Sequence, residues 1–140
     1  MTLDPFTYFP GRWEFERAIR DHLSRQDGSA HGTAVFSREA DEVRWRETGV
    51  LELGETRTRA TRELVITRDP ASESGWMVLF EDRRPFHPLI LEAGEVEHLC
   101  RSDLYSGRVE PLTPDRFRTR WRVEGPGKNH EISTEYRRRS

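Results

Sequence analysis

The sequence contains a single cysteine, Cys100, and a single lysine, Lys128, in 140 residues. One thiol excludes an internal disulfide framework, and no Cys/His set has zinc-finger spacing. Long apolar runs are missing as well. None approaches the roughly 20 residues of a membrane-spanning helix, and Met1-Thr2-Leu3-Asp4 has neither a basic nor an apolar leader. A cytoplasmic protein with no membrane partner is the expectation. Charge of one sign is also lacking: 23 Lys+Arg against 25 Asp+Glu leave −2, so no global field draws in nucleic acid. Serine-triad spacing, a Walker loop and a dinucleotide fingerprint are absent. Hydrophobic residues amount to 34%, which makes for a lean core. The length suits one domain over residues 1–140, with residues 1–10 as a segment capping it.

What the chain does have is short stretches of alternating apolar and polar residues, separated by Gly, Pro, Asp and Asn at close intervals. That pattern predicts an antiparallel sandwich or barrel. Residues 43–53 place Val43, Trp45, Leu51 and Leu53 on one face before a turn at Gly54-Glu55. Phe117, Trp121 and Val123 point one way and three arginines the other, until Gly125-Pro126-Gly127 ends the strand. Residues 76–80 and 89–91 are continuous apolar runs, which suit buried strands or a cavity lining. Further strands are predicted at 31–37, 58–67, 96–100, 108–112 and 131–137, with 58–67 charged enough for an edge. Residues 12–23 fit both helical and strand spacing. The all-β surroundings and the approach Phe9-Pro10-Gly11-Arg12-Trp13 decide for strand.

Gly11-Arg12-Trp13 resembles the Gly-x-Trp signature that opens lipocalins and related calycin barrels. In that pattern an arginine from the last strands packs across the first-strand tryptophan and closes the base, a part that falls here to Arg120 or Arg122 around Trp121. Gly11, Trp13, Arg120 and Arg122 are thus the barrel-closing candidates. The whole chain, from about Phe9 to Tyr136, resembles a bacterial family of short calycin-like domains of unknown function. The likeness is carried by Phe9 to Trp13, Phe80-Glu81-Asp82-Arg83-Arg84-Pro85-Phe86-His87, Glu97-His98-Leu99-Cys100-Arg101-Ser102-Asp103-Leu104-Tyr105 and the closing Arg118 to Pro126. The resemblance implies an all-β, lipocalin-like barrel of about eight to ten strands and leaves the ligand open.

Chemically capable groups concentrate in two stretches: Asp82, Arg84 and His87, then His98, Cys100, Asp103 and Tyr105. Ala93-Gly94 reads as the hairpin turn between them, and period two puts Val96, His98 and Cys100 on the inner face, opposite Glu95 and Glu97. Three readings compete: a hydrogen-bonded network ordering one barrel end, a small-molecule pocket, and a catalytic site. The pocket would be lined by His87, His98, Cys100, Tyr105, Trp45, Phe80, Arg84 and Trp121. The enzyme would use His98 or His87 as general acid or base near Asp103 and Tyr105. A filled barrel serving as a protein interaction module is a further alternative. No cofactor is expected; haem on His98 or His87 is the variant that histidine-bearing barrels of the nitrobindin kind imply. Arg17 and Glu47 share faces with Trp13 and Trp45, so each needs a partner inside, by mutual pairing or by orienting a polar ligand. Non-catalytic binding of a small apolar-to-amphipathic molecule is the leading expectation.

Overall fold

A computed structural model describes residues 3–91, 96–100 and 103–139, the middle stretch by its backbone only. The chain opens with one short helix, α1 (Pro5–Tyr8). Five strands follow: β1 (Gly11–Asp21), β2 (Gln26–Glu39), β3 (Glu42–Leu53), β4 (Thr56–Arg68) and β5 (Trp76–Phe80). The rest are β6 (Pro85–Pro88), β7 (Val96–Cys100), β8 (Asp103–Thr113), β9 (Arg116–Gly125) and β10 (Lys128–Arg138). They form one antiparallel ten-stranded sheet in the order β6-β5-β4-β3-β2-β1-β10-β9-β8-β7. Strands adjacent in sequence therefore pair, except β6 with β7, and β1 joins β10 with Trp13 opposite Arg138. The sheet curls into a barrel whose one unladdered seam lies between β6 and β7.

Alternation sets which side chains fill it. In β1, Trp13 and Phe15 are buried while Glu14 and Glu16 are exposed; in β9, Phe117, Thr119 and Val123 are buried while Arg116, Arg120 and Arg122 are exposed. One end is filled by rings. Trp13 meets Phe117 edge-on at 4.8 Å, Phe117 stacks on Tyr136 at 4.2 Å, and Phe9 stacks on Phe36 at 5.2 Å. The helix α1 plugs this end because Asp4 caps it, accepting from the Phe6 amide at 2.8 Å, while Phe6, Tyr8 and Phe9 turn inward. Tyr8 ties it down by donating to the carbonyls of Thr113 (2.7 Å) and Arg116 (3.0 Å), and burial pushes its hydroxyl pKa up to about 12.

Three expectations need correcting. The arginine over Trp13 is neither Arg120 nor Arg122 but Arg138, whose guanidinium carbon lies 4.2 Å from the ring centroid. The reason is topological: β10 lies between β9 and β1 in the sheet, and the alternation that sends Thr119, Trp121 and Val123 inward sends Arg120 and Arg122 outward. The neighbour β10 supplies the cation instead. Residues 89–91 form no strand; the ladder to β5 is made by Pro85–Pro88, with a bulge between Val78 and Leu79. Finally, no ladder joins β6 to β7, so these stretches are not a paired hairpin, and Ala93-Gly94 lies outside the described residues.

Gly11 is positioned by the closure. Its φ of +138° suits glycine, and a Cβ there would stand 2.7 Å from Arg138 Nη1. The same arginine donates to the carbonyls of Pro10 (2.9 Å), Tyr8 (2.5 Å) and Pro114 (3.1 Å). It thereby clamps α1 and the β8–β9 turn onto the barrel end.

Candidate functional site

The opposite end is less filled. One inward step beyond the packed layer stand Ile19, Leu51, Ile132 and Trp121, all half-buried. Here the wall is also incomplete. The ladder from β4 to β5 covers only residues 64–68, so among the described residues 56–63 have a partner on the β3 side alone. A lateral opening follows from the shortness of β5 and β6.

Aromatic side chains span the seam where hydrogen bonds do not. Phe86 of β6 stacks on Phe80 at 4.6 Å and on Trp121 of β9 at 5.3 Å, and it meets Tyr105 of β8 edge-on at 6.0 Å. The ring of His87 lies 4.7 Å from Phe86 and 4.7 Å from Trp121, with Nδ1 2.8 Å from the Pro88 carbonyl oxygen. Trp121 in turn needs Gly107 opposite it, since a Cβ at that position would fall 2.7 Å from its ring. Of the residues expected to form a pocket, His87, Tyr105, Phe80 and Trp121 thus come together. Arg84 reaches this group only from outside: it is exposed in the β5–β6 turn, bonded to Asp82 at 2.6 Å, with its guanidinium 5.5 Å from the Phe80 centroid. His98 and Cys100 have backbones paired opposite Tyr105 and Asp103, and their side chains lie outside the described residues. The carboxylate of Asp103 pairs with Lys128 at 3.2 Å.

Trp45 belongs to a second, deeper group. Its Nε1 donates to Glu47 Oε2 at 2.9 Å. The Glu47 side chain is 3% exposed, and it accepts from Arg17 at 2.9 Å, from Arg62 at 3.2 Å and from the Tyr136 hydroxyl. Arg17 also donates to Thr134 Oγ1 at 2.8 Å. Burial pushes the Glu47 carboxyl up, but Arg62, Arg17 and the hydrogen bond from Tyr136 outweigh it and hold its pKa at about 2. Burial and the adjacent carboxylate push the Tyr136 hydroxyl far above its usual range, so it remains a donor. The mutual pairing of Arg17 and Glu47 is present; Arg62 and Tyr136 are the members that pattern reading passed over. A signal for Arg62 existed. A two-residue turn at Gly54-Glu55 pairs Leu53 with Thr56 and, counted back along the hairpin, Glu47 with Arg62.

A concavity of about 960 Å³ lies elsewhere, on the outer face of β8, β9, β10, β1 and β2. Its floor is made of small residues such as Ala18, Ser29, Ser106 and Ser133, and Arg120 and Glu135 stand among its walls. Among the described residues no group of three or more His, Cys, Asp or Glu could hold a metal ion. No described helix is long and apolar enough to cross a membrane.

No curated protein matches the chain. Among solved structures, it is similar to the S-type phycobiliprotein lyase of Guillardia theta, with a TM-score of 0.65 at 12% identity over 96% of this chain and 90% of that one. It is also similar to a de novo designed fluorescence-activating β-barrel, with a TM-score of 0.54 at 20% identity over 99% of this chain and all of the other. Both likenesses establish the barrel fold. The match that spans residues 9–138, from the start of the plugged end to the last strand, places the chain in the family of unknown function DUF6314, to which it belongs.

Proposed function

We propose that this protein binds a small, partly apolar molecule without transforming it, at the open end of the barrel beside the aromatic seam. The observation that carries the reading is the asymmetry of the interior. One end is packed with rings and plugged by α1, whereas the other presents half-buried Ile19, Leu51, Ile132, Trp121, Tyr105 and Phe80 around a wall that β5 and β6 leave incomplete. Apolar area with a few fixed polar groups is what small-molecule sites are made of. Two neighbours in fold, a phycobiliprotein lyase and a fluorescence-activating design, support the small-molecule part of this reading.

The test is titration with the neutral fluorophore N-phenyl-1-naphthylamine. Saturable binding with energy transfer from tryptophan is expected. Trp121→Leu should weaken it at least fivefold, while Arg120→Ala on the outer face leaves it unchanged. Absence of saturable binding, or binding indifferent to Trp121→Leu, defeats the reading.

A further inference from the structure

The charge group beneath that opening holds two guanidiniums, Arg17 and Arg62, against one carboxylate, Glu47. One positive charge is left over inside the barrel. The two arginines are not equally occupied. Arg17 uses Nε on Thr134 and Nη2 on Glu47 and Tyr136, and its side chain is 14% exposed. Arg62 uses Nη2 alone, on Glu47 and Tyr136, and its side chain is 39% exposed. Among the described residues the Nη1 and Nε donors of Arg62 have no hydrogen-bond acceptor. They belong to β4 in its stretch 56–63, which has a ladder partner on one side only and so borders the lateral opening.

Glu47 cannot take up this excess. Oε1 accepts from Arg17 and Oε2 from Trp45, Arg62 and Tyr136. A second anion is what the arrangement lacks. We infer that the ligand is an amphipathic monoanion, a carboxylate whose oxygens accept from Arg62, with an apolar body lying over Leu51, Ile132 and Trp121. An N–H of a guanidinium makes a charge-assisted hydrogen bond to a carboxylate oxygen, and the single leftover charge matches a monoanion where a dianion would be left uncompensated. The inference rests on the open end being the binding site.

A matched probe pair separates the two ideas: 1-naphthylacetate and its neutral amide, titrated by calorimetry at pH 7 against the full chain. The carboxylate should bind at least tenfold more tightly than the amide, and in Arg62→Gln this ratio should fall close to one. In Glu47→Gln, which leaves two guanidiniums for the ligand, the ratio should rise. If Arg62→Gln does not fold, Arg62→Lys keeps the charge but loses the fork, and the ratio should still drop severalfold. Equal binding of both probes to the wild type, or a ratio that survives the Arg62 substitutions, overturns the anionic ligand while leaving the site in place. Binding of neither probe nor of N-phenyl-1-naphthylamine overturns both.

Discussion

Glu47→Gln isolates the contribution of the buried carboxylate. The substitution keeps shape and volume but removes the charge that Arg17 and Arg62 face, so the variant imitates the protonated wild type. With a folded pKa of about 2 against an ordinary value of 4.5, ionised Glu47 contributes about 3 kcal/mol at neutral pH. The side chain is buried, so solvent takes little of this away. The sign follows from the depressed pKa: the contribution is full above the unfolded value and is lost as pH falls through the folded one. The gap in unfolding free energy between wild type and variant should therefore be about 3 kcal/mol at pH 7, about 1 kcal/mol near pH 3 and close to nothing at pH 2. Chemical denaturation followed by tryptophan fluorescence at each pH gives the gap directly, and all other carboxylates cancel from the difference. A gap that is the same at pH 7 and pH 3 would refute the assignment of the stabilisation to the ionised form.

Arg138→Met removes the cation over Trp13 and three carbonyl partners at once; a loss of about 2–3 kcal/mol is expected in denaturant, with faster hydrogen exchange at the Tyr8 and Phe9 amides. Arg120→Ala, outward and outside any ion pair among the described residues, should change stability by less than about 0.5 kcal/mol. Gly107→Ala puts a Cβ 2.1 Å from the Arg120 carbonyl oxygen and 2.7 Å from the Trp121 ring, so it should cost about 1–3 kcal/mol and alter the near-UV dichroism of Trp121. An unchanged near-UV spectrum would show that Trp121 is not seated on Gly107.

Strand identity was legible because alternation is a local property. The inward set Trp13 and Phe15, or Phe117, Thr119 and Val123, needs only the neighbouring residues to be read. Partners across the sheet were less legible, since they depend on turn length and topology. Arg62 is recoverable by counting from Gly54-Glu55, but Arg138 opposite Trp13 depends on β10 closing against β1, which no local pattern encodes. Arg120 and Arg122 drew the eye through proximity to Trp121, although their parity already sent them outward. The strand expected at residues 89–91 failed for another reason: Leu89 is buried like a strand residue, but it packs as the chain leaves the sheet beyond Pro88. Apolarity reports burial there and not extension.

The pairing of β1 with β10 bears on how the chain is made. Trp13 leaves the ribosome well before its cation, Arg138, is added. At elongation rates of about 5–20 residues per second, on the order of ten seconds separate them. During that interval Trp13 and Phe15 have β2 beside them but not β10, so the first strand waits as an unpaired apolar edge. Its alternate charges, Glu14, Glu16 and Arg20, are then the features that keep nascent copies apart until synthesis reaches the residue that locks the barrel.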